Sequence, residues 1–174
     1  MSANASTTAT APLSDATRER FAREVAKYPA GHQQSAVMAC LSIVQQEQGW
    51  VSPESEIAIA NYLDMPPIAV HEVTSFYNMY NQRPVGQYKL AVCTNLPCQL
   101  RGGQSALEYL EQKLSLKAGE TSADGRFTLQ QCECLGACAD APVMLVNDRT
   151  MCSFMSDDKL RQLVDGLAQA EGSP

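Results

Sequence analysis

The hydrophobic period of this chain changes at Arg83-Pro84-Val85-Gly86, and that change sorts the sequence into two folding problems. Before it, apolar residues recur at three- and four-residue intervals, the period of one helix face. After it, short stretches alternate with period two, as half-buried strands do. Ser14 or Asp15 caps a predicted helix over about 16–27, with Phe21 and Val25 on one face. A second helix is predicted over about 35–48, where Val37, Cys40, Leu41 and Val44 form the inward stripe and Gly49 closes the end. Ser52-Pro53 reads as N-cap and first residue of a third helix that buries Ile57, Ala60 and Leu63. Met65-Pro66-Pro67 breaks the chain before a fourth helix with Val70, Val73 and Tyr77 inward.

Beyond residue 86 the expected order is β-α-β-β-β-α. Tyr88, Leu90 and Val92 share one face of a strand that ends in Cys93. Leu107, Leu110 and Leu114 mark a helix over about 104–113. Phe127 and Leu129 mark a strand that delivers Cys132 and Cys134. The continuous apolar run at 143–146 predicts a central strand, followed by a turn at Asn147-Asp148 and a short strand around Met151. A last helix is predicted over about 157–169, with Leu160, Leu163, Val164 and Leu167 inward. A right-handed crossover makes the first two strands parallel, and the short last turn makes an antiparallel hairpin. The fold class is therefore α+β. An N-terminal helical bundle (15–82) precedes a thioredoxin-like domain with a mixed sheet (83–170), after a disordered tail (1–14). The residues from 171 onward read as another loose end.

Composition excludes several functions. Acidic residues outnumber basic ones 19 to 13, for a net charge of −6, so a nucleic-acid-binding face is not expected. No apolar stretch approaches the roughly 20 residues of a membrane span, so direct membrane insertion is not expected. The uncharged Ser/Thr/Ala-rich start lacks the basic and apolar regions of a secretory signal, and no Arg or Lys precedes Arg18 as a mitochondrial transit peptide requires. A bacterial protein or a processed mature form is expected. The chain contains no G-x-G-x-x-G and no G-x-x-x-x-G-K-[ST], so it builds no nucleotide site of its own.

Chemistry concentrates in the cysteines. There are seven: Cys40, Cys93, Cys98, Cys132, Cys134, Cys138 and Cys152. An odd number without a secretory signal argues against a disulfide framework. Cys93 and Cys98 form a C-x4-C pair, and Cys134 and Cys138 a C-x3-C pair. Both pairs follow predicted strands, at one end of the sheet. Four thiolates suit tetrahedral zinc or an iron–sulfur cluster, and one pair per iron is a natural division for a [2Fe–2S] core. Gly102-Gly103 and Gly136 allow close backbone approach to the sulfurs. Cys40 reads as a core thiol and Cys152 as a packing residue, whereas Cys132 is ambiguous but unnecessary to either pair. His32 and His71 read as structural, and Asp157-Asp158 as the first turn of a helix.

Three stretches carry a resemblance. They are Val92-Cys93-Thr94-Asn95-Leu96-Pro97-Cys98, Asp124-Gly125-Arg126-Phe127-Thr128-Leu129, and Glu133-Cys134-Leu135-Gly136-Ala137-Cys138 with Ala141-Pro142-Val143. Together with Gly49-Trp50-Val51 and Thr74-Ser75-Phe76-Tyr77, they resemble the 24 kDa, or E, subunit family of respiratory complex I, NADH–quinone oxidoreductase. The resemblance covers roughly residues 15–170. It implies one [2Fe–2S] cluster with ligands Cys93, Cys98, Cys134 and Cys138. It also implies a partner flavoprotein subunit that binds FMN and NADH, within the peripheral arm on the cytoplasmic face of the bacterial inner membrane. The cluster would exchange single electrons with that FMN, and this chain alone would not oxidise NADH. Equivalent subunits of NAD-reducing hydrogenases and NAD-dependent formate dehydrogenases are the nearest alternative, and a zinc-stapled structural adaptor is another. In thioredoxin-like folds a cis-proline commonly stands where Pro142 does, which leaves cis and trans both open for the Ala141–Pro142 bond.

Overall fold

A computed structural model describes residues 13–170. Nearly all of the expected N-terminal tail, and the expected loose end from 171 onward, lie outside the described residues. The chain divides into two compact units between Pro84 and Val85.

The first unit is helical. Helix α1 (Asp15–Val25) starts where the Ser14 hydroxyl accepts a hydrogen bond from the Thr17 N–H at 3.0 Å. A 3-10 turn, Gln33–Ala36, leads into α2 (Val37–Gln48). Helix α3 (Pro53–Leu63) is capped by Ser52, whose hydroxyl accepts from the Ser55 N–H at 3.1 Å. Helix α4 spans Pro67–Phe76. Phe21, Cys40, Leu41, Val44, Ile59, Leu63 and Val70 are fully buried in one core. Each large aliphatic side chain there contributes about 1.5–3 kcal/mol by leaving water. Two inward assignments fail. Ile57 is exposed and Ile59 takes the buried place, because successive steps of three fall short of the 3.6-residue turn and drift off the core face. Tyr77 is exposed because α4 ends one residue before it.

The second unit is a four-stranded mixed sheet with helices. Its elements are β1 (Tyr88–Cys93), α5 (Leu96–Leu100), α6 (Gly103–Leu114), β2 (Phe127–Cys132), β3 (Met144–Val146), β4 (Thr150–Cys152) and α7 (Asp157–Gln169). The spatial order is β2-β1-β3-β4. Strands β1 and β2 are parallel and place Cys93 opposite Cys132. Strand β3 runs antiparallel to both β1 and β4. Leu90, Val92, Leu107, Leu110, Leu129, Leu160 and Val164 fill the core. The architecture is the expected α+β one: a helical region followed by a mixed-sheet, thioredoxin-like domain.

An ion pair fastens the hairpin to the middle of the sheet. Lys89 lies on β1 with its side chain only 3% exposed, and its Nζ is 2.6 Å from Asp148 Oδ2. Asn147 and Asp148 both have positive φ in the turn after β3, and Arg149 N–H closes that turn onto Val146 O at 3.2 Å. Asn147 Oδ1 accepts from the Lys89 N–H at 2.7 Å, so one turn holds both ends of one residue.

Candidate functional site

The cysteine pairs arrive at one end of the sheet by different routes. Cys93 is the last residue of β1 and is held by its N–H donating to Val143 O at 3.1 Å. Cys98 lies in α5, a five-residue helix that Pro97 helps to start. Sequence pattern alone places the pair on a loop, because five residues are too few to show a period. Cys93 and Cys98 are each about 1% exposed, packed with Ala141 and Val143. Leu135 and Ala137 of the second cysteine loop press against this cluster.

Gly103 explains the tightness. A Cβ there would sit 2.7 Å from Cys93 O and 2.9 Å from both the carbonyl carbon and oxygen of Cys98. The start of α6 therefore packs backbone to backbone against both buried cysteines. Glycine is needed here for that contact, not for approach to the sulfurs as the sequence suggests. Ala141–Pro142 is cis, and Ala141 is part of the same cluster.

The second pair faces solvent. After β2 the chain makes a loop in which Cys134 Sγ and Cys138 Sγ are 3.5 Å apart, and both residues are exposed. Gly136, at φ +76°, lets the loop double back so that its own N–H donates to Cys134 Sγ at 3.4 Å. That bond, with the hydrogen bond to Cys138, holds the Cys134 thiol below its ordinary pKa. The shared hydrogen bond raises Cys138 instead. Burial raises Cys98. Cys132, half-buried and close to Cys93 and Cys98, is pushed up to about 12, chiefly by burial. The loop is anchored on its flanks by Asn95 Nδ2 donating to Glu133 Oε2 at 2.8 Å and by Gln131 Nε2 donating to Thr94 Oγ1 at 2.7 Å.

The expected metal centre is not assembled. Among the described residues, no three His, Cys, Asp or Glu side chains are grouped closely enough to hold a metal ion. The expectation of one [2Fe–2S] cluster held by Cys93, Cys98, Cys134 and Cys138 is therefore overturned. With it goes the role of a cluster carrier that passes single electrons to and from a partner's FMN. The zinc-stapled alternative falls on the same finding. The physical reason is a difference in burial. Cys93 and Cys98 are buried with Ala141 and Val143, while Cys134 and Cys138 are exposed on a loop. Spacing along the chain brings two pairs to one end of a sheet; it does not set the distance between them.

The other cysteines and both histidines behave as structural residues. Cys40 is fully buried in the helical core, where burial pushes its thiol up to about 12. Cys152 packs against the core of the second unit. His71 Nδ1 lies 3.0 Å from Glu56 Oε2. His32 stands at the start of the 3-10 turn. No helix among the described residues is long and apolar enough to cross a membrane.

Comparison with known proteins agrees with the architecture. Residues 21–168 match the family model of the thioredoxin-like [2Fe–2S] ferredoxins. The chain is 39% identical over 142 residues to the E subunit of the NADH–quinone oxidoreductase of Rickettsia typhi, covering 81% of this chain and 83% of that one. It is 41% identical over 142 residues to the second subunit of the NADH–quinone oxidoreductase of Thermus thermophilus, covering 82% of this chain and 78% of that one. Among solved structures, an air-oxidised NAD+-reducing [NiFe]-hydrogenase superposes with a TM-score of 0.67 at 19% identity, over 76% of this chain. The match spans only 23% of that hydrogenase chain, and the likeness shows the fold alone.

Proposed function

The chain belongs to the thioredoxin-like [2Fe–2S] ferredoxin family, and on that premise we propose that it serves as the E-type subunit of an NADH–quinone oxidoreductase. In this reading it docks with the subunit that binds FMN and NADH, in the peripheral arm on the cytoplasmic face of the membrane. It does not oxidise NADH alone. The observation that carries the reading is the relatives: several subunits of that name are 38–40% identical along about four-fifths of both chains. The hydrogenase alternative rests on resemblance of fold at 19–20% identity, so the quinone-linked assembly is preferred. Cys93, Cys98, Cys134 and Cys138 are proposed as the functional end of the second unit, a thiol-bearing face. Leu96 and Leu100, both exposed on α5, lie on either side of Cys98 in that face.

Deleting the gene and measuring membrane NADH–quinone activity tests the assignment. Activity is expected to fall severalfold and to return when the chain is supplied again. A tagged copy is expected to co-purify with an FMN-containing subunit. Unchanged activity after deletion, or recovery of hydrogenase or formate dehydrogenase subunits with the tag, would overturn it.

A further inference from the structure

Phe154 carries backbone strain that its own packing does not explain. Its φ is +53°, a conformation that a bulky aromatic residue rarely adopts. The other non-glycine residues with positive φ, Asp64, Ser115, Asn147 and Asp148, are short and polar, and they end helices or form the turn after β3. Phe154 is fastened in place by the backbone. Its N–H donates to Asp140 O at 2.8 Å, and the Met155 N–H donates to Pro142 O at 3.0 Å. Yet Phe154 is 50% exposed, so the core gains little from holding it there. Strain held at a half-exposed aromatic points to a use for the ring.

The ring stands in the wall of a groove of about 730 Å³ that also includes Ala106, Pro142 and Met155. Arg101 lines the groove from the end of α5, and Asp157 and Asp158 line it from the start of α7. Asp158 is paired with Arg161. Lys159 Nζ donates to Ser153 O at 3.3 Å and lies 5.7 Å from the centre of the Phe154 ring. Arg101 and Asp157 enter none of the ion pairs among the described residues. An apolar wall is thus flanked by one charge of each sign outside any ion pair.

We propose, on the footing of the assembly above, that this groove seats a segment of the subunit that binds FMN and NADH. Charge complementarity sets the chemistry of that segment: a large apolar side chain against Phe154 and Pro142, a basic residue facing Asp157 and an acidic residue facing Arg101. The fixed backbone holds the ring in its docking position before the partner arrives, so little freedom is lost on association. Phe154 is the anchor of the contact, and the charges at the rim set its register.

The test uses the tagged full chain expressed in cells that contain the rest of the assembly. FMN per captured chain is measured, and the subunit that carries it is identified by mass spectrometry. Thermal unfolding of each purified chain is recorded beside it. Phe154→Gly and Phe154→Asn both accept a left-handed backbone but lack the ring. Each is expected to unfold within a few degrees of the parent while capture of the FMN subunit falls about tenfold or more, the loss of a hot-spot residue. Phe154→Tyr keeps the ring and is expected to capture as the parent does. Asp157→Asn is expected to weaken capture at low salt and to change it less at high salt. If the parent captures the FMN subunit and Phe154→Gly and Phe154→Asn capture it equally well, the groove is overturned while the assembly stands. If the parent captures no FMN subunit, both fall. A large drop in unfolding midpoint in both ring-less variants, or failure of Phe154→Tyr to capture, would also overturn the anchor.

Discussion

Gly103→Ala adds one methyl group and little else. The first residue of α6 is a tolerable place for alanine by helix propensity, so any loss of stability measures the contact with Cys93 and Cys98. The new carbon would stand 2.7 Å from Cys93 O and 2.9 Å from two backbone atoms of Cys98. Carbon atoms prefer about 3.5–4.0 Å, so the methyl must gain more than half an ångström on three atoms together. None of the three belongs to a side chain that can rotate away. Relief requires moving α6, the end of β1, or α5. Overpacking of this kind costs about 1–3 kcal/mol, and immobile backbone neighbours put this site in the upper half of that range.

Gly102→Ala supplies the control. Gly102 has φ +95°, yet its Cβ would meet nothing within 4 Å. Alanine there carries only the left-handed penalty of about 1–2 kcal/mol, partly offset by a less flexible unfolded chain. Thermal unfolding distinguishes the two. About 2 kcal/mol lowers the midpoint of a 60–100-residue unit by roughly 8–16 °C. A second readout is local: displaced backbone at Cys93 and Cys98 should expose thiols that are now about 1% accessible, so slow maleimide labelling should accelerate in Gly103→Ala alone. The reasoning fails if Gly103→Ala unfolds no earlier than Gly102→Ala and labels no faster than the parent chain.

Other perturbations follow from the same geometry. Leu41→Ala should destabilise the helical unit by about 2–5 kcal/mol in urea titration, because the side chain is fully buried and its neighbours are fixed by helices. Ser52→Ala removes the hydroxyl that accepts from the Ser55 N–H and should cost about 1 kcal/mol in the same assay. Asp148→Ala takes the carboxylate from a lysine that is 3% exposed; since Asp148 itself is 32% exposed, water softens the loss to about 1–3 kcal/mol, whereas Lys89→Met should be milder. Iodoacetamide reacts with the thiolate, so a lowered pKa means more reactive sulfur at neutral pH. Cys134 should therefore label first, with a half-rise below that of an ordinary cysteine thiol, and Cys132, pushed up to about 12, should label slowest.

What the sequence discloses depends on how many neighbours decide a residue's place. Helix α7 is legible to the residue, since Asp157 and Asp158 meet the helix start and Leu160 and Val164 fall on one face. The parallel pairing of β1 with β2 follows from the crossover, and the β3–β4 hairpin from its short turn. Lys89 is where local pattern misleads. Alternation assigns it to the wet face of a strand, but β1 lies between β2 and β3, and the turn at Asn147-Asp148 supplies the carboxylate that permits its burial. The cysteine end follows the same division. Each pair is written in its own short motif, so both pairs and their common end of the sheet can be read directly. Whether two pairs form one centre depends on what lies over them. Here Cys93 and Cys98 are buried with Ala141 and Val143, while Cys134 and Cys138 stay exposed. Those contacts join residues more than 40 apart in sequence, beyond the reach of any spacing rule. The Gly103 contact is short in sequence yet still illegible: a glycine at a helix start has many local explanations, and only the backbones of Cys93 and Cys98 select among them.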